Sequence, residues 1–352
     1  MMSENNVLVE IKDLSKLYPV GGGVFRRSND FIHAVSELNL SIRRGESVGL
    51  VGESGCGKTT TGKLLVRLIE PTEGNILFHA EGEDVDVATL KGKELKAFRR
   101  RVQMIFQDPY ESMNPRLTIY DTVAEPLDVQ GIGTIAEREA RVADLLETVG
   151  LTPASSFIFR YPHELSGGQR QRVAIARALV VEPDFVVADE PTSMLDVSVR
   201  TGVMHLMQEL ADRLEVTYLY ITHDLAVARY MCDRIAVMYL GKIVEIGETE
   251  EVLQNPKHPY TRALISAVPV PDPTYQRPDV VIKGGISKPI NPIPRCRFHE
   301  RCTISEQVCL DNPHPPLQDR KDDKHYLGCY VVNEFEGDFW EQHSQVAQSA
   351  AD

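Results

Sequence analysis

The sequence predicts an α/β domain with a mostly parallel sheet, followed by a smaller C-terminal segment of irregular structure. Short apolar runs alternate with segments of helical periodicity, a pattern typical of parallel sheets covered by helices. A glycine-rich turn with the pattern GxxxxGK[ST] joins one apolar run to a helix. Prolines become dense from Pro256 to Pro316, where apolar periodicity is lost, which indicates the irregular segment.

The elements before the helical region follow from the spacing of apolar and turn residues. Alternating runs from Val7 to about Leu50 predict strands, and residues 21–30 between them predict a loop. Residues 58–70 (KTTTGKLLVRLIE) have helical periodicity, and the helix should end at Pro71, because proline cannot continue a helix. A strand (GNILFH), a basic helix (KGKELKAFRRRV) and a further strand (VQMIF) come next.

The second half of the domain repeats this alternation. Residues 107–183 predict several helices and no long strand. After them come a strand (DFVVADE), a helix from about Val197 to Leu214, a strand (TYLYITHD), another helix and two strands (RIAVMYL and KIVEIG).

Composition and charge narrow the class of protein. The chain is 42% hydrophobic and 25% charged, and no run approaches the roughly 18 apolar residues of a membrane span. The polar N-terminus lacks an apolar signal core, so we expect an intracellular protein. A formal net charge of −13 argues against a nucleic-acid partner, which requires a basic face. The basic residues between 91 and 101 predict a solvated helix face; proximity to lipid headgroups is the alternative.

The turn from Gly52 to Thr59 predicts a phosphate-binding loop. Glycines let successive N–H groups face a phosphate, and the following helix N-terminus adds positive potential. Lys58 should reach the β- and γ-phosphates, and the Thr59 hydroxyl should ligate Mg²⁺. The predicted nucleotide contacts of this segment are Gly52, Ser54, Gly55, Cys56, Gly57, Lys58, Thr59 and Thr60.

Two acids at the end of a buried strand supply the second part of such a site. Asp189 and Glu190 follow a continuous apolar run that suits a central parallel strand, and ligands bind at the carboxyl ends of such strands. Asp189 is predicted to hold the Mg²⁺ shell and Glu190 to act as general base toward water.

The string Leu165-Ser-Gly-Gly-Gln169, at the start of a helix, resembles the signature of ABC ATPases. The resemblance implies an ABC-type P-loop NTPase core with an antiparallel β subdomain and a helical subdomain at about 108–183. It also implies a dimer, in which this string meets the γ-phosphate of ATP held by the opposite subunit. The residues so assigned to nucleotide binding are Ser166, Gly167, Gly168 and Gln169.

Further positions match the same family in the same order. The resemblance implies that Tyr18 stacks on adenine, that Gln107 senses Mg²⁺ and that Asp196 couples the two sites of the dimer. His223 matches the histidine that contacts the γ-phosphate. Met194 stands where alanine is commoner in the family. The residues expected to carry catalysis are Glu190, His223, Lys58 and Gln107, and those expected to bind Mg²⁺ are Thr59, Gln107 and Asp189.

The C-terminal segment narrows the resemblance to one branch of the family. KHPYTRALISAVP, from Lys257 to Pro269, and residues 286–302 look like the extension of ABC ATPases for peptide and nickel uptake. The insert after Tyr18 looks most like the second of two paralogous ATPases in dipeptide and oligopeptide importers. The resemblance therefore implies a heterodimer with a sister ATPase, two transmembrane permease subunits and, indirectly, an extracellular solute-binding protein. It places the chain at the cytoplasmic face of the membrane.

Several alternatives remain open at this point. The cargo of such a motor could be peptides, oligosaccharides or nickel. A chain of another class, an ABC ATPase acting on nucleic acid or ribosomes, would carry tandem cassettes or coiled-coil inserts, which this sequence lacks. An exporter is disfavoured by the uptake-type C-terminal segment.

Four cysteines in the C-terminal segment suggest a metal site. Cys296, Cys302, Cys309 and Cys329 have the spacing C-x5-C-x6-C-x19-C, which matches neither common ferredoxin runs nor paired zinc knuckles. The resemblance implies a [4Fe–4S] cluster, with zinc and free thiols as alternatives, and His299 and His314 are expected to be bystanders. The predicted boundaries are 1–250 for the ATPase domain, 251–336 for the extension and 337–352 for a disordered tail.

Overall fold

The computed structural model of the 352-residue chain describes residues 6–21, 29–80, 83–268, 280, 282–285, 288–319, 324–335 and 339–340. The chain forms two compact units, each assembled from three stretches. The first unit consists of Met1–Lys12, Asn39–Val48 and Thr59–Thr222, and the second of Asp13–Leu38, Gly49–Lys58 and His223–Asp352.

The strands of the described part of the chain follow the predicted order. They are β1 (Val7–Pro19), β2 (Phe31–Arg43), β3 (Ser47–Val51), β4 (Glu73–Ala80), β5 (Glu83–Asp86), β6 (Val102–Ile105), β7 (Phe185–Asp189), β8 (Thr217–Thr222), β9 (Arg234–Tyr239), β10 (Lys242–Glu248), β11 (Gln318–Asp319) and β12 (Tyr326–Leu327).

The helices in the same residues alternate with these strands. They are α1 (Lys58–Leu65), α2 (Gly92–Arg101), α3 (Ile119–Gln130), α4 (Ile135–Thr148), α5 (Gly167–Leu179), α6 (Val197–Leu214), α7 (Leu225–Met231), α8 (Thr249–Gln254), α9 (Pro259–Ser266), α10 (Val308–Asp311) and α11 (Tyr330–Asn333). None of the helices in the described ranges combines the length and apolar character that crossing a bilayer requires.

The first unit contains the parallel strands that the apolar runs predict. β6, β7 and β8 lie side by side and parallel, with Val102 opposite Phe185 and Phe185 opposite Thr217. Every residue of β7 and β8 is buried, because both faces of these strands are covered. Their common direction places the carboxyl end of β7, at Asp189, at the sheet edge where ligands bind in such folds.

Residues 107–183 of the first unit contain α3, α4 and α5 and no strand, as predicted. Thr118 and Thr134 form capping boxes at the starts of α3 and α4, and Gly131 ends α3 in the left-handed conformation with φ of 73°. The buried face of α5 consists of Gln171, Val173, Ala174, Ile175, Ala176, Ala178 and Leu179. The apolar residues at helical spacing in this part of the sequence therefore form the buried face of α5.

The prediction that α1 continues to Pro71 is wrong. The helix ends at Leu65, and Arg67 takes the left-handed conformation with φ of 56°. The Arg67 guanidinium is buried and donates hydrogen bonds to the carbonyl oxygens of Val87 and Ala88, both at 3.1 Å. A buried charge needs such acceptors, and reaching them turns the chain out of the helix.

The second unit contains an antiparallel group of strands in the order β11-β12-β10-β9. Helix α9 lies in the region that the dense prolines predict to be irregular. His258 caps its start by accepting a hydrogen bond from the Tyr260 N–H, and Pro259 occupies the first helical position, where its missing N–H costs nothing. The proline that indicated irregular chain here is thus a helix-start signal.

Two predictions concern residues outside the described ranges. The predicted loop at 21–30 is described only at residues 21, 29 and 30, and the predicted tail at 337–352 only at Phe339 and Trp340. Phe339 is buried against Leu327 and Val332, and the Trp340 indole N–H donates to the Lys257 carbonyl oxygen at 2.8 Å.

Candidate active site

The phosphate-binding loop lies in the second unit, directly after β3. Gly52 and Gly57 have φ of 153° and 113°, and a Cβ on either would lie 2.3 Å from the Met238 carbonyl oxygen or 2.2 Å from that of Ala34. Only glycine fits at these two positions, because backbone occupies the space that any side chain would need. The glycines of the motif are therefore required by packing as well as by phosphate access.

Lys58 is buried, with 6% of its surface exposed, and its ammonium group lies over the loop. Nζ donates to the carbonyl oxygens of Gly52 at 2.7 Å and Glu53 at 3.0 Å. These neutral carbonyls accept from two of its three N–H donors and do not neutralise the charge. A phosphate oxygen would compensate this cation better than the loop carbonyls do.

Glu53 is fixed by the C-terminal segment, which the sequence did not predict. Its backbone N–H donates to the Tyr260 hydroxyl at 2.8 Å. Its carboxylate accepts two hydrogen bonds from Arg301, at 2.7 and 3.0 Å. Tyr260 and Arg301 lie in the segments identified by the resemblance to uptake-type ATPases, but nothing in their local pattern indicates a role at the phosphate loop.

Thr59 and Asp189 are paired in the first unit. The Thr59 hydroxyl lies 3.2 Å from Asp189 Oδ1, and Asp189 is 4% exposed at the end of β7. A hydroxyl and a carboxylate oxygen at one point form a donor set that suits Mg²⁺, a hard cation that prefers oxygen ligands. Thr59 and Asp189 can therefore serve as the predicted ligands.

Glu190 and Gln107 are also paired in the first unit. Gln107 Nε2 donates to Glu190 Oε2 at 2.9 Å, across 83 residues of sequence. Glu190 is one of the non-glycine residues with positive φ, 46°, and its backbone N–H donates to the Ile221 carbonyl oxygen at 2.8 Å. Such a conformation costs roughly 1–3 kcal/mol and is enriched at functional sites. The strain at Glu190 has no signal in the sequence.

The string around Ser166 begins α5 with a reciprocal pair of hydrogen bonds between Ser166 and Gln169. Ser166 Oγ accepts from the Gln169 N–H at 3.3 Å, and Gln169 Oε1 accepts from the Ser166 N–H at 3.0 Å. A Cβ on Gly168 would lie 2.5 Å from Val199 Cγ1, whereas the nearest atom to a Cβ on Gly167 is 3.7 Å away. Ser166 is exposed, so the start of the helix is accessible to an anion.

The remaining predicted residues lie at the surface. Tyr18 is 37% exposed, with Lys16 Nζ 5.2 Å from its ring centroid. Asp196 is exposed at the start of α6, where its carbonyl oxygen accepts from the Arg200 N–H at 2.9 Å. His223 is exposed and follows the last residue of β8. The roles assigned to these three residues stay predictions.

The four C-terminal cysteines are buried in the second unit and, like Cys56 and Cys232, are free thiols. Burial raises the pKa of Cys296 to about 12, of Cys302 to about 11 and of Cys329 to about 12. Across the described ranges, no group of three or more His, Cys, Asp or Glu side chains is arranged to hold a metal ion. The described residues therefore contain no ready-made site for the predicted [4Fe–4S] cluster.

Comparison with known families identifies two regions of the chain. Residues 35–193 match the family model described as ABC transporter, and residues 244–309 match the model described as oligopeptide/dipeptide transporter, C-terminal region. The first match spans the phosphate loop, the helix start at Ser166 and the two acids at the end of β7, Asp189 and Glu190. The second spans Tyr260, Arg301 and three of the four clustered cysteines.

Relatives of similar length carry corresponding names. The chain is 42% identical to the oligopeptide transport ATP-binding protein AppF of Bacillus subtilis over 94% of its own length and 99% of that protein. It is 48% identical to a putative peptide import ATP-binding protein of Brucella ovis, over 86% and 91% of the two chains.

Solved structures of cassettes resemble the chain as well. A dimeric ATP-binding cassette in a post-hydrolysis state, bound to ADP and Pi, aligns with a TM-score of 0.60 and 32% identity. The alignment covers 69% of this chain and 99% of that one. The structure of cbiO1 from Clostridium perfringens, part of the ABC transporter complex cbiONQ, aligns with a TM-score of 0.59 and 28% identity. That alignment covers 71% of this chain and 92% of the other.

Proposed function

This chain belongs to the ABC transporter family of ATP-binding proteins, in the branch with an oligopeptide/dipeptide transporter C-terminal region, and we propose that it is the ATP-hydrolysing motor subunit of a peptide importer. The observation that carries the proposal is the hydrogen bond between the Thr59 hydroxyl and the Asp189 carboxylate. Thr59 directly follows Lys58 in the sequence. The pair supplies Mg²⁺ ligands at the point of the chain where the phosphate loop becomes a helix.

The residues would divide the work of hydrolysis as follows. The phosphate loop and Lys58 bind the β- and γ-phosphates, and Tyr18 stacks on adenine. Mg²⁺, held by Thr59 and Asp189 with Gln107, would neutralise charge on the phosphate oxygens.

In the hydrolytic step a water oxygen bonds to the γ-phosphorus while the bond from phosphorus to the β–γ bridging oxygen breaks. Glu190 takes the proton of the water, and ADP leaves with the electron pair of the broken bond. The hydrogen bond from Gln107 fixes the orientation of the Glu190 carboxylate. His223 stabilises negative charge on the γ-phosphate.

The proposed motor is a dimer of cassettes. Ser166, Gly167, Gly168 and Gln169 of one subunit contact the γ-phosphate bound to the other, and Asp196 couples the two sites. A dimeric cassette with bound ADP and Pi among the similar structures supports this arrangement. The partner is a paralogous ATPase, and the pair attaches to two permease subunits at the cytoplasmic face of the membrane, with a solute-binding protein outside.

Phosphate release tests the proposal directly. The full chain, assembled with its paralogous ATPase and permeases in proteoliposomes, should hydrolyse ATP, and Glu190→Gln should reduce the rate by about 10²–10⁴-fold without loss of ATP binding. Glu215→Gln is a matched control, because Glu215 is another glutamate with positive φ, 52°, to which the proposal assigns no role. Equal activity of the two variants would contradict the role of Glu190. Release without peptide uptake by the same vesicles would contradict the cargo.

We further propose that Cys296, Cys302, Cys309 and Cys329 bind a metal cluster, by resemblance to uptake-type ATPases. The burial of all four thiols supports the proposal, since buried thiols exclude competing water ligands. The described geometry must then rearrange when the metal binds. Anaerobic purification followed by iron and sulfide assays should give a [4Fe–4S] stoichiometry that Cys309→Ser lowers. Zinc without sulfide, or no metal, would contradict it.

A further inference from the structure

Glu53, inside the phosphate loop, is held by four residues, one of which is Cys56, whose N–H donates to the Glu53 carbonyl oxygen at 3.3 Å. The Tyr260 hydroxyl accepts from the Glu53 N–H at 2.8 Å, Arg301 donates twice to its carboxylate, and Lys58 Nζ donates to its carbonyl oxygen at 3.0 Å. Tyr260 and Arg301 lie 207 and 248 residues further along the chain. Two of the four residues that hold Glu53 therefore come from the C-terminal extension of the same unit.

These two anchors are rigid. Tyr260 is 1% exposed and Arg301 is 5% exposed. The Tyr260 ring packs 4.7 Å from the ring of Tyr239 and 5.6 Å from that of Phe298, measured between centroids, and the Arg301 guanidinium lies 5.7 Å from the centroid of Tyr239. Close packing on all sides means that neither side chain can follow Glu53 if the loop moves.

The extension also fixes the backbone that carries Tyr260. His258 Nδ1 accepts from the Tyr260 N–H at 3.0 Å and so sets the start of α9. The buried carboxylate of Glu245 accepts from the N–H groups of Lys257 and His258, at 2.7 and 3.0 Å, and lies 2.7 Å from His325 Nε2. A network of satisfied, buried hydrogen bonds holds its members in one arrangement.

We propose that Tyr260 and Arg301 are positioning residues for ATP: they hold the phosphate loop in its binding conformation through Glu53. The inference rests on the proposed function. When a phosphate enters, the Lys58 ammonium must exchange the carbonyl oxygens of Gly52 and Glu53 for phosphate oxygens. The contacts from Tyr260 and Arg301 do not involve Lys58, so they persist and keep the loop from reordering. A site that is ordered before its ligand arrives binds more tightly.

Nucleotide binding by the isolated full-length chain tests the proposal without requiring hydrolysis. A fluorescent ATP analogue is titrated with Mg²⁺ into wild-type protein and Tyr260→Phe, which keeps the ring and removes the hydroxyl. We expect an affinity about tenfold weaker, the equivalent of one net hydrogen bond. Tyr330→Phe is the matched control, because it removes another hydroxyl hydrogen bond of the extension, to Pro313, and should leave the affinity unchanged.

A double-mutant cycle separates positioning from mere support of the fold. Arg301→Gln and Glu53→Gln should each weaken binding, and the double variant should be no weaker than Arg301→Gln within about twofold, because the two residues act through one contact. The matched control is Arg295→Gln, which breaks an exposed pair with Glu300 at 2.9 Å. In the assembled transporter the KM for ATP should rise while kcat stays within about twofold.

The outcomes are distinct. Unchanged affinity of Tyr260→Phe for the ATP analogue overturns the positioning role. So does an affinity loss in the Arg301→Gln, Glu53→Gln double variant that equals the product of the two single losses. A lower thermal midpoint with unchanged affinity also overturns it, since the residues would then serve the fold alone. Wild-type protein that binds ATP but never hydrolyses it contradicts the proposed motor and leaves the binding test valid. Wild-type protein that does not bind ATP defeats both proposals.

Discussion

Replacing Gly167 with alanine should leave the protein folded and stop ATP hydrolysis. Gly167 is the first residue of α5, and a Cβ built on it would find its nearest neighbour, Leu195 Cδ2, at 3.7 Å. That distance is an ordinary van der Waals contact, so the methyl group fits. Alanine is favoured over glycine in a helix interior by about 1 kcal/mol and by less in the first turn. The free energy of unfolding should therefore rise by roughly 0–1 kcal/mol.

The effect on hydrolysis should be far larger. In the proposed dimer Gly167 faces the γ-phosphate of ATP bound to the partner subunit, and a methyl group there would displace the helix N-terminus from the phosphate. Loss of one preorganised donor typically costs about 10²–10³-fold in rate, so we expect a fall of at least about 100-fold. Binding of ATP to the isolated chain should not change, because the phosphate loop is intact.

Gly168→Ala is the contrasting variant in the same turn. Its Cβ would lie 2.5 Å from Val199 Cγ1, and a β-branched side chain has few alternative rotamers. Val199 is 37% exposed and can shift toward solvent, so this overpacking should cost about 1 kcal/mol. Urea midpoints without nucleotide, titration of labelled ATP and phosphate release by the assembled transporter measure the three quantities. Normal hydrolysis by Gly167→Ala would refute the placement of this residue at the nucleotide, and equal urea midpoints for the two variants would refute the packing argument.

Three further predictions concern other parts of the site. Gln107→Ala removes the 2.9 Å hydrogen bond to Glu190 and should slow hydrolysis by about tenfold or more; a wild-type rate would contradict this prediction. Gly57→Ala should lower the free energy of unfolding by about 3 kcal/mol, because the new Cβ would lie 2.2 Å from a backbone oxygen. Gly55→Ala should lower it by only about 1–2 kcal/mol, because the space around a Cβ at Gly55 is open. Equal urea midpoints for the two variants would contradict this prediction. Burial lowers the pKa of His258 to about 4, so between pH 6.5 and pH 4 only the unfolded state binds a proton at this residue. The free energy of unfolding should therefore fall by about 1.4 kcal/mol per pH unit as the pH is lowered from 6.5 toward 4. His258→Asn should make the urea midpoint less dependent on pH over this range.

Motifs that depend on consecutive residues could be predicted from the sequence. The loop from Gly52 to Thr59 combines glycines, a cation and a predicted metal ligand within eight positions, so its chemistry can be predicted from the local sequence alone. The buried run before Asp189 identifies a central strand because every residue in it is apolar, and the structure confirms full burial. The long helices were predictable for the same reason, since apolar spacing repeats along them.

Contacts between distant parts of the chain could not be predicted from the residues themselves. Gln107 and Glu190 are 83 residues apart, and only the family resemblance suggested that both serve the same site. The early end of α1 depends on where Arg67 finds carbonyl acceptors, which is a property of packing. The positive φ of Glu190 is likewise imposed by its surroundings, because an isolated glutamate avoids that conformation.

The second unit shows how a loop rich in glycine can be rigid. Glycine loses more conformational entropy on ordering than other residues, so the loop requires compensating contacts. Carbonyl oxygens of Ala34 and Met238 occupy the space beside Gly57 and Gly52, and the Gly241 N–H donates to the Cys56 carbonyl oxygen at 2.8 Å. These contacts come from the cassette itself, whereas the N–H and the carboxylate of Glu53, the first residue after Gly52, are bound by the C-terminal extension. On the proposed positioning role of Tyr260 and Arg301, the extension shapes this loop for ATP together with the motif residues.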